Sequence, residues 1–515
     1  MPILSLIVFA PMLAALVLLL VPERSKAAIR TVSVVGAAVS LALSIYVASV
    51  YDMAAGGYQL KQTLELVPSL NIHYTVAVDG WGVSLLLLTG IILFAGCWAT
   101  WTLERRPKEF YILLLVLSAG VFGVFVSLDL FVFFLFYEIA VLPMYLLIGI
   151  WGSTKKVPPK GPLAFALRKL DVGGKEYAAM KLTLMLLIGS AFIIVGMLAM
   201  YFAGGRSFDL VEMESANFPR TMQIWVFPLL WLGFGSLAGV FPFHTWSPDG
   251  HASAPTAVSM LHAGVLMKLG AFGVIRVGMV LLPEGAGFWA TLVGIVASVN
   301  VVYGALSAMA QKDLKYIVAY SSVSHMGIVM LGAATMTVNG WNGAIYQMFA
   351  HGVMTGMFFA LVGLVYEKTH TRDVPSMGGF GKVTPVIATA FTLACLSSLG
   401  LPGTAGFVAE FLVFLGAFQS GNAWWMWPGL IGAFITALYV LKATRQIFWG
   451  PYVEGKFEHL QDARGPEKVA VFVLAGCIIL FGVWPSIALD PIDHQTVAYL
   501  GKVLKAIGST VALAP

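Results

Sequence analysis

Charge is what this sequence lacks. Of its 515 residues, 59% are hydrophobic and only 11% are Asp, Glu, Lys or Arg, against about 25% charged residues in ordinary soluble domains. So few charges do not cover a water-exposed surface of this size, which excludes a water-soluble enzyme, a disordered chain and a nucleic-acid binder. Cysteine is scarce too: Cys97, Cys395 and Cys477 each lie in an apolar run, with no CxxC spacing. They read as small buried hydrophobes, so no disulfide framework, zinc site or iron–sulfur site is indicated. Signatures of soluble catalysis are missing as well, with no GxSxG, HExxH or dinucleotide fingerprint. GGFGKV at 378–383 imitates the end of a P-loop, yet Val383 stands where a hydroxyl would hold magnesium, and no strand precedes it. His244 and His251 flank a break without a third ligand nearby, so they do not read as a metal site.

What the chain has is long apolar runs. A membrane-crossing helix needs about 20 apolar residues, and that rule places spans near 3–21, 28–50, 80–101, 110–127, 129–151, 178–203 and 222–242. Seven more follow near 254–281, 286–309, 315–337, 341–366, 383–418, 426–447 and 468–487. The expectation is an all-α integral membrane protein with about 14 transmembrane helices. Its net charge of +5 is no basic patch, because the cations fall in short loops. Of the 30 Lys and Arg, 22 lie in loops joining odd to even spans and six in the alternate loops, while Lys181 and Lys268 lie within spans. That bias is the mark of positive-inside insertion, and it puts both termini on the non-cytoplasmic side.

Two spans should be broken at membrane depth. Val240–Thr256 contains Pro242, Pro248, Gly250 and Pro255, and Leu399–Gly406 reads LGLPGTAG. Proline removes a backbone donor, and broken backbone in a bilayer is tolerated only inside protein or beside a hydrated cavity. The two breaks lie about 155 residues apart, a spacing that fits two inverted five-helix repeats with discontinuous helices. The expected organisation is an N-terminal three-helix segment (1–106), a first repeat of helices 4–8 (107–281) and a second of helices 9–13 (282–450). A C-terminal helix and tail (451–515) would complete it.

A few ionisable groups sit where they are costly. A charge at the centre of a spanning helix costs about 2.5–3.5 kcal/mol on insertion scales, so each one is informative. Glu138, Lys181, Lys268, His325, His351 and Glu410 make up the set. The bland alternatives are charges snorkelling to an interface, which suits Lys181 best, or polar staples between helices. Gln347, His351 and Thr355 stand at i, i+4 and i+8, and Ser321 with His325 forms a similar pair, so each helix presents a polar face. Carboxylates and amines joined by imidazole and water make a proton relay chemically reasonable.

These residues carry a resemblance. SLDLFVFFLFYEIAVLPMYLLIGIWG (127–152), EYAAMKLTLMLLIGSAF (176–192), FPFHTWSPDGHASAPTAVSMLHAGVLMKLGAFGVIR (241–276), QKDLKYIVAYSSVSHMG (311–327), YQMFAHGVMTGMFFALVG (346–363) and LSSLGLPGTAGFVAEFLVF (396–414) occur in order. The chain resembles the antiporter-like membrane subunits of respiratory complex I, most closely subunit M (chain 4, or chain 13). The resemblance implies that Glu138 is the glutamate of the fifth span, Lys268 the central lysine of the eighth and Glu410 the terminal acid of the twelfth. His325 and His351 would bridge the second half. The family's lysine in the seventh span falls on Leu237, and no Lys or Arg occurs in Gln223–Phe243. The family's LPDAH reads SPDGH here, and the Trp151–Glu176 loop is long and basic. A first half-channel that is weakened, or that uses Lys181 instead, is the expectation.

The function so implied is a proton-translocating membrane-arm subunit of an NADH:quinone oxidoreductase in a prokaryotic inner membrane or an equivalent energy-converting membrane. Cofactors (NADH, FMN, iron–sulfur clusters and quinone) would sit in partner subunits and none on this chain. Partners would be other membrane-arm subunits, including neighbouring antiporter-like subunits and a lateral helix, together with lipids. Two alternatives stand beside it: a subunit of an Mrp-type multisubunit cation/proton antiporter, and a structural membrane-arm subunit that does not pump.

Overall fold

With no water to satisfy them, backbone groups in hydrocarbon must pair within their own segment, so long apolar runs fold as helices. The computed structural model describes residues 2–154, 173–452, 457 and 460–508; most of the Trp151–Glu176 loop lies outside the described residues. The first helices are α1 (Ile3–Leu20), α2 (Lys26–Val50), α3 (Gly80–Ala99), α4 (Pro107–Val126), α5 (Leu130–Trp151) and α6 (Lys175–Ala203), followed by a short α7 (Leu210–Ser215). Next come α8 (Arg220–Ala238), α9 (Trp246–Ser253), α10 (Thr256–Met279), α11 (Pro283–Ala310), α12 (Leu314–Ala334) and α13 (Val338–Thr369). The chain continues as α14 (Pro385–Ser398), α15 (Ala405–Gln419), α16 (Met426–Thr444), α17 (Gly465–Val483) and α18 (Ser486–Ala506). Among the described residues 13 helices are long and apolar enough to cross a membrane. The expected crossing at 383–418 is made by α14 and α15, each too short to span alone.

Both expected breaks are present. Behind α8, Gly239 takes a left-handed conformation (φ 76°), one turn of 3-10 helix follows, and α9 resumes until Ala254 and Pro255 extend the chain. Between α14 and α15, Gly400 (φ 73°) and Gly403 (φ 90°) supply backbone conformations that other residues rarely adopt.

The loops sort into two faces. Lys26 and Arg30 pair with Glu104, Trp151 Nε1 donates to the Arg105 carbonyl, Arg372 donates to the Ala252 carbonyl, and Lys368 meets Glu467. All of these belong to the cation-rich set, so that set shares one face. On the other, Lys502 meets Glu214 at 2.9 Å, and Tyr58 donates to the same carboxylate at 2.7 Å.

That second face holds an element that apolar runs do not announce. Gln59–Val67 (β1) and Ile72–Val78 (β2) form an antiparallel hairpin, so the helical fold carries a two-stranded addition. Strands of nine and seven residues fall below a criterion set for spanning helices. Asp129 ties the hairpin down, accepting from the His73 N–H at 2.9 Å while also capping α5.

α10 and α13 lie at the centre, with their most apolar stretches fully buried, whereas α1, α2, α6 and α17 form the rim and face outward. Close contact between α11 and α12 depends on Gly304, where a Cβ would lie 2.6 Å from the Ser324 backbone nitrogen. Gly304→Val should therefore force these helices apart and cost about 1–3 kcal/mol. A lower midpoint of thermal unfolding in detergent is the expected reading, and an unchanged midpoint would contradict the close approach.

Candidate functional site

A lysine in hydrocarbon needs acceptors, and α10 makes one available. The helix contains two π-helical turns, His262–Leu266 and Val274–Met279, on either side of Lys268. A π turn displaces the regular ladder and leaves carbonyls free for side chains. Fully buried Lys268 donates to the Ala263 carbonyl, and its Nζ lies 2.7 Å from His351 Nδ1 on α13. The His351 ring stacks on His325 of α12, with 5.1 Å between centroids. His325 Nδ1 is 2.8 Å from the Ser321 carbonyl; Nε2 is 3.3 Å from the Ser398 carbonyl and 3.5 Å from Glu410 Oε1.

The second break builds this end of the row. The Ser398 carbonyl would be taken four residues on, but Pro402 has no N–H, so the carbonyl is free to face His325. Gly400 makes room for the acid, since a Cβ there would lie 2.9 Å from Glu410 Oε2. Lys268, His351, His325 and Glu410 thus stand in one buried row across α10, α13, α12 and α15.

Their geometry restricts where protons sit. Nδ1 of His325 faces a carbonyl and so carries hydrogen. Nε2 faces both the Ser398 carbonyl and Glu410 Oε1, so a hydrogen on it as well makes the ring an imidazolium beside the acid. His351 Nε2 has no protein partner. Gln347 Oε1, Thr355 Oγ1 and the Ser397 and Ser398 hydroxyls are also buried without one. Buried polar atoms of this kind are the usual partners of ordered water.

The first half is different. Glu138 on α5 is partly exposed and accepts from the Ser190 hydroxyl at 2.5 Å. Among the described residues no Lys or Arg is within ion-pair distance of it, and Leu237 is fully buried. Lys181 is not paired with Glu138: its Nζ lies 2.7 Å from Asp249 on α9, whose other oxygen accepts from Tyr316 at 2.9 Å. Glu138 and Lys181 are therefore placed in separate clusters, apart from the buried row.

Several polar residues escaped the sequence reading. Arg276 counted as a loop cation, yet α10 extends past it and buries it against Asp79. Tyr499 OH lies 2.5 Å from the Arg276 guanidinium, Tyr58 OH lies 2.9 Å from it, and burial pushes the Tyr58 phenol up. Lys315 also counted as a loop cation; it is buried and donates to the Ala254 carbonyl at 2.7 Å. His251 and His262 lie with ring centroids 4.1 Å apart, and neither ring nitrogen of His262 has a protein partner. The test that singled out Lys268, an ionisable group within an apolar run, also applies to His262. Among the described residues no three His, Cys, Asp or Glu side chains converge as metal ligands.

Known proteins resemble this chain in sequence and in overall fold. The family model described as NADH:quinone oxidoreductase/Mrp antiporter, TM, matches residues 127–436. "NAD(P)H-quinone oxidoreductase chain 4 1" of Synechococcus sp. (strain JA-2-3B'a(2-13)) is 35% identical, the match covering 100% of this chain and 95% of its own length. A chain 4 protein of Microcystis aeruginosa (strain NIES-843 / IAM M-2473) is 36% identical, over 98% of this chain and 94% of its own. A chain of respiratory complex I from Thermus thermophilus superimposes with a TM-score of 0.85 at 28% identity, over 98% of this chain and 100% of that one. A chain of the Mrp complex from Dietzia sp. DQ12-45-1b shares the fold, with a TM-score of 0.82 at 20% identity over 98% and 99% of the two chains.

Proposed function

We propose, for a chain that belongs to the NADH:quinone oxidoreductase/Mrp antiporter transmembrane family, the role of chain 4 in a complex I-type enzyme, a membrane-arm subunit that moves protons while partner subunits reduce quinone. Relatives named as chain 4 across the whole length support the assignment to that enzyme. The single observation that carries the proton path is the buried row Lys268–His351–His325–Glu410.

The row moves protons by handing them between neighbours. Lys268 as ammonium gives one to His351 Nδ1, leaving an amine and an imidazolium. The imidazolium releases its Nε2 proton toward the shared His325–Glu410 site, and Glu410 discharges it on the face away from the cation-rich loops. A charge brought near Lys268 by events in partner subunits would shift its proton balance. NADH, FMN, iron–sulfur clusters and quinone belong to those partners, and this chain contributes binding, orientation and proton transfer.

In a prokaryotic inner membrane the cation-rich face would be cytoplasmic and both termini would lie opposite. Neighbouring antiporter-like subunits, a lateral helix and lipid would cover the outward-facing rim. The two breaks, one in each half, support the inverted-repeat reading (107–281 and 282–450). Glu138, held by a hydroxyl alone, and Lys181, on Asp249, would form a weaker first half-path.

The test is proton-to-electron stoichiometry of the assembled complex in proteoliposomes. Glu410→Gln should lower that ratio, and an unchanged ratio would favour a subunit that only links the arm. Glu138→Gln should lower it less, because Gln still accepts from Ser190. A larger loss for Glu138→Gln would move the main path to the first half. A subunit inventory with quinone-site and iron–sulfur chains would exclude the Mrp-type alternative.

A further inference from the structure

We propose that Asn300 is a positioning residue of the relay, one that fixes the spacing between Lys268 on α10 and His325 on α12; the proposal rests on the relay reading above. Asn300 lies on α11, which contributes no member of the row, and it is fully buried. Its Oδ1 accepts from the Phe241 N–H at 2.9 Å. Its Nδ2 donates to the Val323 carbonyl at 2.9 Å and makes a longer 3.4 Å contact to the Gly239 carbonyl. An N–H opposite one end of the amide and carbonyls opposite the other allow it a single orientation. One side chain therefore ties the backbone of the first break to the backbone of α12, two residues ahead of His325.

Each anchor is packed tightly against one member of the row. On one side, Gly239 meets the residue that precedes Lys268, since a Cβ there would lie 2.6 Å from Met267 Cε. A Cβ at Gly270 would collide with the Ala238 nitrogen and the Phe234 carbonyl, so the end of α8 and the middle of α10 pack as one body. On the other side, the Ser324 hydroxyl donates to the Val301 carbonyl at 2.8 Å, and a Cβ at Gly327 would lie 2.7 Å from the Val301 nitrogen. Thus α11 and α12 pack as a second body, and Asn300 joins the two beside the row. Their spacing matters because His351 has to serve both, 2.7 Å from Lys268 and stacked at 5.1 Å on His325.

Asn300→Leu, which keeps the bulk and removes all three contacts, tests this in the assembled complex. Protons counted per electron are independent of how much complex assembles, so a purely structural role would lower the yield and leave the ratio alone. Because a misplacement of about 1 Å can cost a transfer step about a hundredfold, the ratio should fall by at least about half the loss seen in Glu410→Gln. Ser298→Ala removes a hydroxyl that bonds only its own helix, at the Gly294 carbonyl, and should keep the full ratio. In a cryo-EM structure of the Asn300→Leu complex, Lys268 and His325 should stand farther apart, by about 1 Å. Asn300→Gln, which shifts the amide by one methylene, replaces the leucine variant with the same expectations if that one fails to assemble. An unchanged ratio, an unchanged separation, or an equal loss in Ser298→Ala would overturn the assignment. If Glu410→Gln itself keeps its ratio, the relay reading fails instead, and the separation alone decides whether Asn300 sets the spacing.

Discussion

Lys268→Ala should lower proton translocation by the assembled complex by about a hundredfold or more, the low end of what a positioned acid or base contributes. The variant removes the amine that reaches His351 and leaves that imidazole facing a void. Lys268→Arg is the sharper comparison. Guanidinium keeps the positive charge but does not release its proton in proteins, so it should pump as poorly as alanine. Recovery with arginine would mean that Lys268 acts as a fixed charge, not as a carrier. Both variants are read by pH-dye quenching in proteoliposomes during quinone reduction, with electron transfer followed in parallel to confirm assembly.

The second large effect is on stability. Asp79 and Arg276 are paired with side chains 2% and 5% exposed, so truncating one strands the other without water. Asp79→Ala should cost about 3–5 kcal/mol, and it also removes the N-cap that accepts from Gly82 N–H at 2.8 Å. Replacing both partners by apolar groups, Asp79→Leu with Arg276→Met, should recover a large part of that loss, because no charge is left buried. Thermal unfolding in detergent measures both. If the double variant is no more stable than Asp79→Ala, the cost lies in the cap and not in the stranded guanidinium.

How much of this was legible beforehand depends on the kind of signal. Lys268, His325, His351 and Glu410 stood out because an ionisable group in an apolar run is expensive, and expense is visible without coordinates. The breaks were visible through proline and glycine. Partnership was not. Nothing in the spacing of Lys181 and Asp249, 68 residues apart, says that α9 turns back to meet α6, so Lys181 was linked to Glu138 instead. Arg276 was misplaced for a related reason. Counting loop cations treats every cation near a span end as solvated, whereas Arg276 falls inside the expected 254–281 span and packs under Tyr499 of the distant α18. The hairpin escaped because its alternating residues never accumulate the hydropathy of a crossing.

The π turns of α10 have a mechanical consequence. Arg276 anchors one end of the helix in a cluster reaching α3 and α18, and at the other end Lys315 grips the carbonyl just ahead of Pro255. A rod fastened at both ends neither pistons nor rolls as a unit. Displacement of Lys268 is left to redistribution of slack along the rod, one irregular coil tightening as its neighbour loosens. Any displacement of the amine by such a redistribution would keep the two ends in place, so a stroke in the middle of the membrane would leave the seal at either surface intact.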